Sequence, residues 1–215
     1  MARRTGLRER KKHATRQALR EAALRLALER GPDNVRVDDI AEAAGVSPRT
    51  YNNYFPSREH AIVAAVTAER EARVAAAVAE RPARVRLAEA VVDAVVEQYT
   101  DPGERARDAL LLITTRPALR DVFVGSAGAM EHPLADAIAA RLDDEAADAA
   151  RVLAASVAAA VRVALERWLQ PAEASGAAPG LVVPSGSLPD LLRSALAPLV
   201  PALDAVEGRP RRPRR

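Results

Sequence analysis

The sequence predicts an all-α protein in which a small three-helix domain precedes a larger helical domain. Alanine, leucine and arginine, which favour helices, are abundant among the 215 residues. Hydrophobic residues make up 49% of the chain but aromatic residues only 3%, so the core is expected to be aliphatic. No segment shows the strict alternation of apolar and polar residues that is typical of a half-buried strand.

The first helix is expected over residues 15–30. Leu19, Ala23 and Leu26 recur at helical spacing, and Gly31 followed by Pro32 ends the pattern. The core of the small domain is expected to contain seven side chains: Leu19, Leu26, Val37, Ile40, Val46, Tyr51 and Phe55.

Residues 38–55, DDIAEAAGVSPRTYNNYF, have the spacing of a helix-turn-helix motif. A short helix over residues 39–44 is followed by Gly45, which can adopt the left-handed backbone that ends a helix and reverses the chain. Ser47 is expected to cap the second helix with its hydroxyl. Pro48 suits the first helical position, because its φ is fixed and its missing N–H is not needed there.

The second helix of this motif has two distinct faces. Tyr51 and Phe55 are four residues apart, so they share one face and are expected to anchor the helix to its own domain. Arg49, Asn52 and Asn53 share another face. Arginine can bond to guanine O6 and N7, and asparagine to adenine N6 and N7, so this face has the chemistry that reads base edges in a major groove.

Two further side chains are placed for contact with phosphate. Tyr54 lies between the two faces, where its phenol could reach a phosphate oxygen, and Arg58 begins the next helix behind a second cap, Ser57. A capped pair of helices with solvated polar residues and no DNA is the alternative, which the Gly-Val-Ser-Pro spacing alone leaves open.

The distribution of charge favours the DNA-binding interpretation. Residues 1–60 hold 13 Lys/Arg against 8 Asp/Glu, whereas residues 61–208 hold 14 against 21, and residues 209–215 add five arginines. Blocks of opposite charge suggest a nucleic-acid-binding end and a different central domain. We therefore expect a disordered basic arm over 1–12, a DNA-binding domain over 13–60, a helical domain over 61–206 and a disordered basic tail over 207–215.

The central domain is expected to consist of a series of helices. They are predicted over residues 58–80, 83–99, 104–114, 119–125, 133–143 and 144–169, with a last helix from about residue 187. Residues 171–187 are rich in proline, glycine and small residues, so they are expected to form a loop. Pro198 and Pro201 should kink or fray the end of the last helix.

The sequence lacks the residues that several classes of function require. The chain has no cysteine, and its three histidines lie in different segments, so no cofactor or metal is expected. It contains neither GxSxG nor a glycine-rich phosphate loop, so an enzyme is not expected. No apolar run approaches the length of a membrane span, and the first residues lack the apolar stretch of a signal peptide, so a soluble, cytoplasmic protein is expected.

Residues 16–31, RQALREAALRLALERG, and residues 37–60, VDDIAEAAGVSPRTYNNYFPSREH, resemble the TetR family of bacterial transcriptional regulators. The resemblance implies a three-helix DNA-binding domain, a helical regulatory domain, a homodimer and often a repressor that a small ligand releases. Asn52 stands where the family commonly has an aromatic residue, and Arg36 where a threonine usually opens the second helix. The DNA-binding set that follows is Arg36, Ser47, Pro48, Arg49, Thr50, Asn52, Asn53, Tyr54 and Arg58.

Two copies of such a domain would read a palindromic operator. The homodimer is expected to form through the last two helices, where small side chains would let helices approach closely: Val152, Ser156, Ala159, Ala160 and Val163.

The effector is expected to be a small hydrophobic or acyl-CoA-like molecule, because the DNA-binding segment resembles a branch of the family that is associated with such ligands. Its candidate pocket residues are Tyr99, Leu112, Arg116, Phe123, Met130 and Trp168. Two alternatives remain. The first is an architectural DNA-binding protein without a ligand, and the second, less favoured, is a helical enzyme.

Overall fold

The computed structural model describes residues 2–68, 70–100, 104–142, 146–169 and 187–208, and these ranges contain helices but no strand. The α-helices are α1 (Ala2–Arg30), α2 (Val37–Ala43), α3 (Pro48–Asn52), α4 (Arg58–Thr67), α5 (Arg70–Glu80), α6 (Leu87–Thr100), α7 (Glu104–Thr115), α8 (Pro117–Gly125), α9 (Glu131–Arg141), α10 (Ala147–Trp168), α11 (Leu188–Leu196) and α12 (Val200–Glu207). Short 3₁₀ turns cover Pro32–Asn34, Ser126–Met130 and Ala197–Leu199. The predicted all-α class is confirmed.

The chain forms two compact units whose boundary differs from the predicted one. The N-terminal unit comprises Met1–Thr67 and Glu104–Phe123, and the C-terminal unit comprises Ala68–Gly103 and Val124–Arg215. The sequence predicts a single boundary after residue 60, whereas α7 and most of α8 belong with the first helices. Packing of α7 against α1 and α4, together with a 3.0 Å ion pair from Arg116 Nε to Asp33 Oδ2, accounts for this difference.

The core of the N-terminal unit is close to the predicted one. Leu19, Leu26, Ile40, Tyr51 and Phe55 are all buried, as expected. Two predicted members are only half-buried: Val37, which lies one turn before Ile40 at the start of α2, and Val46 in the turn before α3. Val35, in the extended segment before α2, is fully buried instead.

The first helix is longer than predicted. It begins at Ala2, so residues 2–12 are helical and not a disordered arm. Most of these residues are arginine, lysine, glutamate or alanine, which favour helix, and no proline interrupts them. The predicted tail lies almost wholly outside the described residues, since only Glu207 and Gly208 of it are described, at the end of α12.

The long helix predicted over residues 58–80 is two helices, α4 and α5. The hydroxyl of Thr67 donates a hydrogen bond to the carbonyl of Val63 (3.3 Å) at the end of α4. Such a bond competes with the backbone ladder and often bends or ends a helix. The kink expected from the prolines is confirmed, because Ala197–Leu199 forms a 3₁₀ turn between α11 and α12. Of the predicted loop over 171–187, only residue 187 is described.

The C-terminal unit packs α5, α6, α9, α10 and α11 around an aliphatic core. Arg141 fastens one edge of this unit, because its guanidinium donates to the carbonyls of Val78, Arg81 and Val85 at 2.6–3.2 Å. Glu207 of α12 lies 3.7 Å from Arg141 and accepts a hydrogen bond from the backbone N–H of Leu87. The last helix is therefore tied to the connection between α5 and α6.

Candidate nucleic-acid interface

The turn between α2 and α3 depends on the backbone of Gly45. Its φ is +68°, in the left-handed region that other residues adopt at a cost. The N–H groups of Ala44 and Val46 donate to the carbonyls of Ile40 and Ala41 at 3.0 and 2.9 Å, so the end of α2 is closed by hydrogen bonds. A Cβ at Gly45 would meet nothing within 4 Å, so the backbone conformation, and not a lack of space, demands glycine.

Ser47 and Pro48 start α3 as the sequence predicts. The Oγ of Ser47 accepts a hydrogen bond from the N–H of Thr50 (3.1 Å) and lies 2.9 Å from the Thr50 hydroxyl oxygen. Pro48 occupies the first helical position. This cap fixes the point at which α3 begins, and so the register of the side chains that follow.

Tyr51, on the inner face of α3, and Phe55, three residues after the end of the helix, anchor α3 to its own unit. Both side chains are buried, and their ring centroids lie 5.9 Å apart. The phenol of Tyr51 donates to the carbonyl of Ser57 at 2.8 Å, which joins α3 to the start of α4. Burial, and secondarily the charge of Glu59, raise the pKa of Tyr51 to about 12, so the phenol remains a donor at neutral pH. The predicted anchoring role of this pair agrees with these contacts.

The outer face of α3 presents Arg49, Asn52 and Asn53 to solvent. All three are exposed, and within the part of the chain that the structure describes their side chains make no hydrogen bond or ion pair. Thr50 and Tyr54 flank them and are half-buried. The helix and its C-cap residue Asn53 thus carry one guanidinium and two amides whose bonding capacity is unused.

Arg36 lies at the start of α2. Its side chain is exposed, and its backbone N–H donates to Asp39 Oδ2 at 3.0 Å, which caps α2.

Arg58 has a structural role that the sequence interpretation missed. Its Nη1 donates to the carbonyls of Asp33 (3.0 Å) and Val35 (2.9 Å), and its Nε donates to Glu59 Oε1 (2.7 Å). Arg58 therefore ties the connection between α1 and α2 to the start of α4. The connection between α1 and α2 is the feature of the sequence that could have indicated this role. Backbone carbonyls in a segment between helices lack helical partners, and a long side chain with several donors can satisfy them.

The carboxylate of Glu59 is stabilised in this same network. Burial is the largest single effect and would raise its pKa, but hydrogen bonds from Ser57, Arg58 and the backbone, together with the charge of Arg58, outweigh it and lower the pKa below its ordinary value.

The six candidate pocket residues are not gathered within either unit. Three of them, Leu112, Arg116 and Phe123, belong to the N-terminal unit, and Tyr99, Met130 and Trp168 belong to the C-terminal unit. Arg116 is exposed and paired with Asp33, whereas Phe123 and Met130 are core residues. Few bulky side chains occur in this part of the sequence, and most of them fill the core.

Tyr99 has a specific partner. The guanidinium carbon of Arg70 lies 4.4 Å from the centroid of its ring, and Arg70 is itself only 3% exposed. The pair contributes a cation–π contact inside the C-terminal unit.

A surface groove in the C-terminal unit has a volume of about 440 Å³. It lies between α9 and α10 and contains none of the six candidates. Its lining residues are Glu131, His132, Ala135, Asp136, Arg151, Val152 and Ala155.

Among the described residues, no group of three or more His, Asp or Glu side chains is arranged to hold a metal ion. None of the described helices is both long enough and apolar enough to cross a membrane.

Comparisons with known proteins agree with the geometry of α2 and α3. Residues 19–65 match the model of the tetR family of bacterial regulatory proteins, and residues 82–204 match the model of the MftR C-terminal domain. The HTH-type transcriptional regulator TcmR of Streptomyces glaucescens is 42% identical over 67 residues, which are 31% of this chain and 30% of that protein. The match thus spans less than a third of the relative's length.

Two solved structures align with most of the chain. One is Thermus thermophilus FadR, described as a TetR family transcriptional repressor in complex with lauroyl-CoA, with 21% identity, a TM-score of 0.48 and coverage of 92% of this chain and 97% of that one. The other is a putative TetR-family regulator from Rhodococcus sp., with 22% identity, a TM-score of 0.42 and coverage of 91% and 100%. The family models together match most of the described helices, and the chain therefore belongs to the TetR family of bacterial regulatory proteins.

Proposed function

We propose that the protein is a transcriptional regulator that reads a palindromic DNA operator with α3. The observation that carries the proposal is the division of α3 into a fixed face and a free face. Tyr51 and Phe55 hold the helix, while Arg49, Asn52 and Asn53 are exposed. Arginine and asparagine are the side chains that form bidentate bonds with guanine and adenine in the major groove.

The residues around this face position the protein on the DNA backbone. Ser47, Pro48 and Thr50 place the first turn of α3 so that the N–H of Arg49 and the hydroxyls of Ser47 and Thr50 meet phosphate. Tyr54 and Arg36 supply a phenol and a guanidinium at the edge of the surface. Arg58 is retained as a phosphate contact because its side chain is still 32% exposed, although it also bonds to two carbonyls.

The test of this function is selection of bound duplexes from a random-sequence library by the full-length protein. The expected result is one enriched sequence with two inverted half-sites, because two-fold related copies read a pseudo-palindrome. Recovery of a library without sequence preference would refute sequence-specific recognition. It would favour instead the architectural DNA-binding protein that the sequence left open.

A homodimer through α10 and α11 is the second part of the proposal, with a second copy of the chain as the partner. Val152 and Val163 on α10 are 65% and 42% exposed, and Ala159 lies exposed between them. These positions fall on one side of the helix, since they are spaced by seven and four residues. These side chains of the predicted surface are therefore not buried by packing within the described part of the C-terminal unit. On α11, Leu191 and Ala195 are half-buried and extend the surface.

The third part is release of DNA by a small effector that is hydrophobic or acyl-CoA-like. It rests on family membership and on the aliphatic core of the C-terminal unit, which contains few aromatic side chains. Membership in a family of regulatory proteins argues against the helical enzyme that the sequence left open.

Thermal unfolding with a panel of acyl-CoA and other hydrophobic compounds tests the effector. A ligand present at 100 times its Kd should stabilise the protein by about 2.7 kcal/mol. The same compound should lower affinity for the selected duplex, because an effector that releases DNA must bind the free form better. A compound that stabilises the protein without changing DNA affinity would not be the inducer.

A further inference from the structure

The part of α1 that precedes the three-helix core carries an unusual density of positive charge. Residues 2–16, which we call the basic segment, contain seven Lys/Arg and one Glu. They are helical throughout, as the first half of α1. At a rise of about 1.5 Å per residue, the segment is roughly 20 Å long.

The side chains of the basic segment that the structure describes, at residues 8 and 10–16, do not pack against the protein as the rest of α1 does. The first buried residue of α1 is Leu19, whereas Arg8, Lys11, Lys12, His13 and Ala14 are all exposed. Exposed residues such as these gain little stability from burial, so this stretch of helix is supported as a continuation of the packed half of α1.

Like charges on this helix face one another. Arg8 lies three and four residues before Lys11 and Lys12, the spacings at which side chains on a helix are neighbours and like charges repel. A polyanion bound along the segment would replace this repulsion by attraction. A solvated surface of mixed charge would have no such repulsion to relieve.

The basic segment leaves the core next to α3. The guanidinium carbon of Arg16, its last residue, lies 5.3 Å from the centroid of the Phe55 ring. Phe55 lies three residues after Asn52, the end of α3, and its ring contacts that of Tyr51 on the helix. The segment is thus joined rigidly to the element that carries Arg49, Asn52 and Asn53.

We propose that the basic segment is a second DNA-contacting element, a straight cationic helix that binds the phosphate backbone of the duplex that α3 reads. The inference rests on the proposed function and adds a surface to it. Its contribution is independent of base sequence, because Lys and Arg bind phosphate oxygens without reading base edges.

The test is the salt dependence of binding to the duplex selected from the random library. The full chain with Arg8→Gln, Lys11→Gln and Lys12→Gln keeps residues that favour helix and loses three cations from the segment. The slope of log K against log salt concentration should become shallower by about 0.9 for each lost phosphate contact, hence by about 2.7 for each bound protomer. The preferred DNA sequence should stay the same.

Two matched variants serve as controls. Arg25→Gln, Arg30→Gln and Arg84→Gln remove the same charge from exposed positions outside the segment, and the slope should stay that of the unmodified protein. Arg8→Lys, Lys11→Arg and Lys12→Arg keep the charge and should also keep the slope.

An unchanged slope in the glutamine variant of the basic segment would overturn the inference. An equal reduction of the salt slope in the Arg25, Arg30 and Arg84 variant would also overturn it, because the net charge of the protein, and not the basic segment, would then be responsible. Failure of the proposed function is a different result, since the unmodified protein would then select no sequence at all.

Discussion

Gly45 shows how a single residue determines the geometry of the binding surface. Its positive φ was predictable, because Gly45 lies between the predicted end of one short helix and the predicted cap of the next. This backbone conformation turns the chain from α2 into α3. By contrast, the partners of the Arg58 guanidinium were not predictable in detail, because the carbonyls of residues 33 and 35 lie more than twenty residues away in the sequence.

Replacing Gly45 by alanine should destabilise the N-terminal unit by about 1–2 kcal/mol, the cost of left-handed backbone in a residue with a Cβ. There is space for the Cβ, so the effect isolates backbone strain. Gly125→Ala is the control, since Gly125 also has open space but has a φ of −63°. Chemical denaturation compares the two variants, and equal stability of both would contradict the role given to Gly45.

Glu59 should make stability depend on pH at the start of α4. Its pKa is lowered in the folded protein from the ordinary value of 4.5, so the folded state favours the charged carboxylate. Its contribution is therefore complete above the unfolded pKa and is lost as pH falls through the folded pKa. The stability advantage of the unmodified protein over Glu59→Gln should be present at pH 6 and shrink towards pH 3. A difference that does not change with pH would show that the charge of Glu59 is not the cause.

At the scale of elements, boundaries marked by proline, glycine or serine were predictable and unmarked ones were not. Ser47 and Pro48 open α3 where the sequence places them, and the prolines at 198 and 201 separate α11 from α12. The end of α4 at Thr67 has no glycine or proline, and it depends on a hydroxyl bond that also occurs inside unbroken helices. The helical first half of α1 was missed because charge suggested an arm.

The outer face of α10 leads to a prediction about assembly. Val163→Glu places a charge in the proposed interface, so it should convert the dimer into a monomer, because a buried unpaired charge is costly. Leu28→Glu is the control, since Leu28 on α1 is 45% exposed, close to the 42% of Val163. Sedimentation at micromolar concentration measures both. A monomeric unmodified protein, or a Val163→Glu dimer as stable as the Leu28→Glu dimer, would contradict this interface.

At the scale of the whole molecule, the sequence predicts two functional parts, and the packing of the helices groups the chain differently from the predicted ranges. The charge blocks distinguish residues 1–60 from residues 61–208, yet α7 lies beyond that boundary and packs on α1 and α4. The charge blocks reflect residues that face solvent, whereas the division into two units is determined by apolar contacts between segments that are far apart in the sequence. Of the candidate effector residues, Tyr99, Phe123 and Met130 are buried in the core, and the role of the set in binding an effector stays a prediction.

The central claim is that the exposed face of α3 reads DNA bases, and Arg49 is its most direct test. Arg49→Ala should lose about 1–3 kcal/mol of binding to the selected duplex and relax the preference at one base pair of each half-site. Arg25→Ala, an exposed arginine on α1, should bind as the unmodified protein does. The measurement is a competition assay with every single-base variant of the selected duplex. Loss of preference at one position in the Arg49 variant is the expected result, and an unchanged preference at every position would contradict the claim.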